Sequence, residues 1–286
     1  MTATHALDAS GAVITYDVRQ PSTPSGEPPL MLIGSPMDAR GFVTLAGHFG
    51  DRAVITYDPR GTGRSERTDP ALESTPEQHA DDIRQVIEAV GGPVDLFASS
   101  GGAVNSLALV AAHPGLVRTL VAHEPPAVRF TPDHKEAEAA VHGIRSLYER
   151  SGLGPAMVKF IQIVSLKGPV PSGFADEPGP DPASFGLPGE DDGSRNDPLL
   201  GQNLVTCCLY EPDFDALRAA PTRIVVAVGA ESEDELAHRS GRGVAERLGL
   251  SPVVFPSNHA GFLGGEYGQH GDPGPFAAML RQVLEG

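Results

Sequence analysis

Short apolar runs rich in β-branched residues recur along the chain at Leu30 to Ile33, Ala53 to Tyr57, Val94 to Ala98, Val117 to Ala122, Arg223 to Val228 and Pro252 to Phe255. Runs this short and this continuous read as strands buried on both faces. Helical stretches separate them, and that alternation predicts an α/β domain whose mostly parallel central sheet is flanked by helices. Ala12 to Val18 alternates apolar with polar positions and is followed by the turn-rich stretch Pro21 to Pro29, so the first strands are expected to form an antiparallel edge.

The clearest helix start is Thr75-Pro76-Glu77-Gln78: a Thr cap, Pro at the first helical position and Gln at the third. Ala80, Ile83, Ile87 and Val90 then make an apolar stripe, and Gly91-Gly92-Pro93 ends it. Further helices are expected over Gly101 to His113, Glu233 to Leu248 and Pro275 to Leu284. Between Pro125 and Pro221 the alternation lapses. His134 to Arg150 and Pro155 to Leu166 read as helices, while Gly168 to Pro198, crowded with Gly, Pro and Asp, reads as a long irregular loop. Residues 126–220 are therefore assigned to an inserted, mainly helical cap able to gate access, and residues 1–125 and 221–286 to the core.

Composition narrows the function. Acidic residues outnumber basic ones 37 to 21, giving a formal charge of -16, and such a field repels phosphate backbones and anionic membranes. No nucleic acid or membrane partner is expected. Cys207 and Cys208 are adjacent, which suits neither an ordinary disulfide nor a structural zinc site. Met1 to Ser10 carries no basic run leading into an apolar stretch, and no segment approaches a membrane span. The reading is a soluble, cytoplasmic protein.

Candidate chemistry begins where Val94-Asp95-Leu96-Phe97-Ala98 runs into Ser99-Ser100-Gly101-Gly102 and a helix. Ala98-x-Ser100-x-Gly102 is a G-x-S-x-G pattern with Ala in first place, and its strand–turn–helix context is that of a nucleophile elbow. The plainer alternative is a small-residue turn that packs a helix. A serine hydroxyl needs a base and a third group to orient that base. His259, in the loop after Val253-Val254-Phe255, has the right place in chain order. His5, His48, His79, His113, His134, His142, His238 and His270 are read as solvated side chains on helices or outer loops. For the acid two strand ends compete, Glu124 after Leu120-Val121-Ala122-His123 and Glu231 in Gly229-Ala230-Glu231-Ser232. Glu124 is favoured, because a carboxylate at that edge needs a protonatable partner. The backbone amides of Ser35, in Gly34-Ser35-Pro36-Met37, and of Gly101 are the expected oxyanion donors.

Together, Gly34-Ser35-Pro36, Tyr57-Asp58-Pro59-Arg60-Gly61-Thr62-Gly63-Arg64-Ser65, the Ser100 elbow and the His259 loop resemble the α/β-hydrolase superfamily over nearly the whole chain. The likeness implies the α/β-hydrolase fold, with Tyr57 to Ser65 as a scaffold turn fixed by Asp58 and Arg60. Ile33 stands where that family often has His. Ser99 to Ala103 together with Val121-Ala122-His123-Glu124-Pro125 resemble the zearalenone-type lactone hydrolases, which take their acid from a Glu after the sixth strand. That group also uses a cap tryptophan to hold its aromatic lactone, and this chain has no Trp.

These readings converge on a serine hydrolase acting on a small-molecule carboxylic ester or lactone through an acyl-enzyme, with Ser100, Glu124 and His259 catalytic and no metal or organic cofactor. Phe130, Met157, Phe160 and Ile161 are the expected apolar wall of the substrate site. A homodimer is compatible with the sequence. Ser100 at the elbow disfavours an epoxide hydrolase or haloalkane dehalogenase, which would need a carboxylate nucleophile there. A cofactor-independent perhydrolase on the same residues, or a binding or receptor protein with a hydrolase shell, are the rival readings.

Overall fold

In the computed structural model, which describes residues 1–286, β1 (Thr2–Ala9) and β2 (Ala12–Arg19) pair antiparallel along their full length. Ala12, Ile14 and Tyr16 of β2 are buried and the residues between them half-buried, as alternation requires. β1 lies on the outer edge with most of its side chains exposed, so it carries no apolar signature. The sequence reading contains no strand there.

The remaining elements follow in the order β3 (Leu30–Ile33), α1 (Val43–Gly47), β4 (Val54–Tyr57), β5 (Glu66–Arg67), α2 (Pro76–Val90), β6 (Val94–Ser99), α3 (Gly101–Ala112) and β7 (Val117–His123). After β7 come α4 (His134–Ser151), α5 (Leu153–Val164), α6 (Leu204–Cys208) and α7 (Phe214–Ala219), then β8 (Arg223–Gly229), α8 (Leu236–Leu248), β9 (Val253–Phe255) and α9 (Pro273–Glu285). The sheet runs β1-β2-β4-β3-β6-β7-β8-β9, with β5 beside β2. Every pairing from β4 to β9 is parallel, and the antiparallel pairings lie at the β1–β2 edge, as the alternation in Ala12 to Val18 predicted.

Two apolar layers cover the sheet. On one face Ile83 and Ile87 of α2, Leu107 of α3 and Val244 of α8 pack on Met31, Leu96, Leu120 and Val226. On the other, Leu45 of α1 and Phe276 and Leu280 of α9 pack on Leu30, Leu32, Phe97 and Val121. α3 is buried from Gly101 to Val110, which is why its sequence is apolar all round. α2 begins at the expected capping box, in which Thr75 accepts from the Gln78 N–H and the Gln78 side chain accepts from the Thr75 N–H. It ends at Gly91, whose φ of 85° is the left-handed turn that glycine takes without strain.

The stretch between β7 and β8 builds its own core from Ile144 and Tyr148 of α4, Ala156 and Ile163 of α5, and Leu200 and Leu204. Its last helix departs from the boundary drawn at 220. Phe214 and Leu217 of α7 join the main core, where α7 packs on α3 and α8. α6 and α7 are too short to show a helical stripe, and the sequence reading has neither. The Gly168 to Pro198 stretch is irregular apart from one turn at Pro182–Phe185. Its start is pinned beside α8: Gly168 N–H donates to Asp234 O at 3.0 Å, and Asp133 accepts from Val170 N–H at 2.7 Å while pairing with Arg239. No helix is long and apolar enough to cross a membrane.

The Tyr57 to Ser65 turn is fixed from within. Asp58 accepts from Ala39 N–H at 3.0 Å and from Arg64 N–H at 2.8 Å, which ties the loops after β3 and β4 together. Buried Arg60 is held by Asp82 of α2 through two hydrogen bonds of 2.7 Å. Asp82→Ala leaves that guanidinium buried with Asp69 at 3.5 Å and the Ser10 carbonyl at 3.3 Å, and is expected to cost about 3 kcal/mol, whereas Thr75→Ala is expected to cost about 1 kcal/mol. Urea unfolding measures both, and the reverse ranking would contradict the assignment of Arg60 as a buried strut.

Candidate active site

At the carboxyl end of β6 the chain turns sharply through Ser100, which has φ 57° and ψ -128°. Such a conformation costs a non-glycine residue about 1–3 kcal/mol. Its N–H is held by the carbonyl of His123 at 2.9 Å. The turn is feasible because glycine follows. A Cβ on Gly101 would lie 2.6 Å from the Ser35 carbonyl oxygen, and one on Gly102 would lie 2.9 Å from Gly34 Cα. These contacts bring the loop after β3 against the elbow, so Ser35 and Gly101 are neighbours. The Gly101 N–H stands in the first turn of α3, where no intrahelical acceptor exists, and Ser35 N–H has no backbone acceptor. The Ser35 hydroxyl is buried and has no protein partner.

One strand over, β7 ends at His123, which pairs in register with Ser99. Glu124 follows with φ 46°, its N–H bonded to Ala227 O at 2.9 Å. The side chain is fully buried, and each carboxylate oxygen has a separate task. Oε1 accepts from Gly229 N–H at 2.8 Å and from the Ser232 hydroxyl, and Oε2 lies 2.6 Å from Nδ1 of His259. Burial alone would raise the carboxyl pKa, but the His259 hydrogen bond, the neighbouring His123 and His259 rings and the Ser232 donor hold it well below the ordinary carboxylate range. For His259, burial disfavours the imidazolium, and the Glu124 hydrogen bond and charge, joined by the charge of Glu235, more than reverse this. The ring pKa is therefore raised.

The structure thus puts His259 on Glu124. Glu231 is exposed, and its N–H is engaged with Ser257 O at 3.0 Å. The hydroxyl of Ser100 and the ring are not hydrogen-bonded to each other in this conformation. What joins the two strand ends is His123, whose carbonyl holds Ser100 and whose ring stacks on His259 with centroids 5.8 Å apart and planes 23° apart.

His123, Ser232 and His238 are parts of the site that the sequence reading leaves out or misplaces. His123 is buried among Phe97, Phe255, Phe262 and Phe276, with Nδ1 3.1 Å from the Ser99 hydroxyl. Burial lowers its pKa to about 4, so it is neutral beneath His259. Its one sequence signal is a His closing an apolar strand immediately before Glu124. His238, expected in solvent, is buried with Nδ1 3.2 Å from Gly229 O. His79 is likewise buried, with Nε2 2.7 Å from Asn203 Oδ1, where it joins α2 to the cap.

Of the expected wall residues, Met157 and Phe160 pack on the cap core and Ile161 is half-buried on the same helix. Phe130 corrects the expectation: its ring meets Phe214 edge-on at 5.1 Å with Arg247 over it, so it is committed to the α7–α8 flank. Cys207 and Cys208 are buried free thiols, and Cys207 Sγ lies 3.8 Å from Gly101 O against the elbow. No three His, Cys, Asp or Glu side chains cluster in a way that could hold a metal ion.

The sequence pattern of the alpha/beta hydrolase family matches residues 30–276. The chain belongs to this family. Among curated relatives, this α/β hydrolase is 27% identical to an uncharacterized hydrolase, YraK, of Bacillus subtilis over 266 residues, covering 90% of this chain and 89% of that one. It is 33% identical to the 2-(acetamidomethylene)succinate hydrolase of Mesorhizobium japonicum over 169 residues, 57% of this chain and 55% of the relative. The fold is shared with a thermophilic esterase from Thermogutta terrifontis at a TM-score of 0.68 and 18% identity, covering 99% of this chain and 98% of that one.

The raised pKa of His259 is a direct consequence of Glu124, and this yields a measurable expectation. In Glu124→Gln the burial penalty stays while the counter-charge goes, so the imidazole pKa should fall below its wild-type value. Titration of the His259 ring by NMR reads this, and an unmoved pKa would show that Glu124 does not govern the ring.

Proposed function

We propose that this α/β hydrolase is a serine hydrolase cleaving a carboxylic ester or lactone of a small molecule through an acyl-enzyme. The observation that carries the reading is the Glu124–His259 hydrogen bond, set one strand away from a serine held in strained backbone at the elbow. With Nδ1 occupied by Glu124, Nε2 is the ring nitrogen left to act as base, and Glu124 fixes that tautomer. His259 takes the Ser100 proton as Oγ attacks the carbonyl carbon, and the imidazolium formed is balanced by the Glu124 carboxylate. The Ser100–His259 hydrogen bond that this step needs would form when substrate fills the elbow.

The tetrahedral oxyanion would be met by the N–H groups of Ser35 and Gly101, a reading supported by the close approach of the two loops. Collapse breaks the carbon–oxygen bond to the leaving alkoxide, which takes the proton from His259. Water, deprotonated by the same histidine, then releases the acid and regenerates Ser100. In a lactone the leaving oxygen stays tethered to the acyl group, and the same steps open the ring. The place of the acid, on the strand next to the nucleophile, is the feature shared with zearalenone-type lactone hydrolases. Met157, Phe160 and Ile161, on one cap helix, are the proposed apolar contacts for the acyl or ring portion.

A panel of esters and lactones assayed with wild type and Ser100→Ala tests this reading, with turnover expected to disappear in the variant. Activity that survives in Ser100→Ala would overturn it. Glu124→Gln should lower kcat by roughly 10²-fold or more and Glu231→Gln by less than about twofold, with both variants folded. The base must be neutral, so kcat/KM should fall as pH drops through the raised His259 pKa, placing the acid limb above the ordinary imidazole value of about 6.5.

A further inference from the structure

We propose that Ser232 is a positioning residue for the reaction, its hydroxyl clamping one oxygen of Glu124 so that the other stays on His259. The inference rests on the reading of Ser100, His259 and Glu124 given above and goes beyond it. Ser232 is fully buried in the turn between β8 and α8, its carbonyl accepting from Glu235 N–H at 2.9 Å. Its hydroxyl has two acceptors in reach, the Gly229 carbonyl at 3.2 Å and Glu124 Oε1, which is closer. It has one proton. The charged and nearer acceptor takes it, since hydrogen bonds to an ionised group are the stronger ones.

The neighbouring residue is shaped for this contact. A Cβ on Gly229 would lie 2.7 Å from the Ser232 oxygen, so a glycine at 229 lets the hydroxyl in, while its own N–H supplies the second donor to the same Oε1. Two donors on Oε1 fix the rotation of the carboxylate, and Oε2 is left with one partner, the His259 ring. A carboxylate emerging from a left-handed backbone at Glu124 has its other torsions to settle, and the Ser232 bond is a side-chain contact that settles them. His238, which also faces Gly229, stands 4.0 Å from Oε1 and bonds to the carbonyl instead.

The titratable groups facing the pair are His123 under the His259 ring, His238, and Glu235 at the start of α8. None of them changes in Ser232→Ala. That variant is expected to lower kcat about tenfold with KM within about twofold, the size of one lost hydrogen bond to a charged group. The His259 ring pKa, followed by NMR, should move down toward the ordinary imidazole value as Oε2 loosens. Ser232→Thr keeps the hydroxyl and should keep the wild-type ring pKa. Ser240→Ala removes another buried hydroxyl, bonded to Leu236 O at 2.8 Å in α8, and should change neither readout.

Wild-type kcat and ring pKa in Ser232→Ala would overturn the proposal, as would a tenfold loss of kcat with an unmoved ring pKa. The NMR arm needs no turnover, so it tests the clamp even if no ester or lactone is cleaved. An inactive Glu124→Gln beside an unaffected Ser232→Ala would sink the clamp and leave the wider reading standing.

Discussion

A carboxylate shut away from water at the end of β7 is the constraint that organises this molecule. An isolated buried charge would cost several kcal/mol, and a native protein keeps one only by surrounding it with donors. Glu124 has three of them from two other parts of the chain: Gly229 and Ser232 in the connection from β8 to α8, and His259 in the loop after β9. The need to satisfy one side chain thus draws three carboxyl-end loops to a common point. The same contacts keep the acid ionised and make its histidine more basic.

The parallel sheet turns that local demand into a site. Ser99 and His123 are in register on adjacent strands, so the residues that follow them, Ser100 and Glu124, leave the sheet side by side. Both have positive φ, and both backbones are held by bonds to the neighbouring strand end, Ser100 to His123 O and Glu124 to Ala227 O. The strain is carried by a rigid frame. Beneath it lies a packed aromatic cluster, with Phe97, Phe262 and Phe276 meeting near ring edges and His123 buried among them. That environment lowers the His123 pKa to about 4, so the ring stacked under His259 is neutral near pH 7.

Much of this was readable in the residues because it is local. β-branched runs marked the inner strands, Thr75 to Gln78 marked a capping box, and Ser100, Glu124 and His259 each follow a strand with small or turn-forming neighbours. What the sequence hid is what depends on contacts between distant segments. In the sequence Ser232 shows only as the residue that stands where the usual Gly-x-x-Asp pattern has its Asp, and its contact with Glu124, more than a hundred residues away, comes from the fold. His79 and His238 sit on helices with polar neighbours, and only the packing of the cap and of Gly229 buries them. β1 escaped because an exposed edge strand needs no apolar alternation, and Phe130 was misassigned because helix α7, its partner, is too short to be seen in advance.

The central claim is that Ser100 is made nucleophilic by a histidine anchored on Glu124. Intact-protein mass spectrometry after exposure to a fluorophosphonate measures this most directly, with peptide mapping of the adduct. The account predicts a single stoichiometric adduct on Ser100 in the folded wild-type protein, and one that forms far more slowly in His259→Ala. An adduct elsewhere, or equal labelling rates in the two proteins, would contradict it.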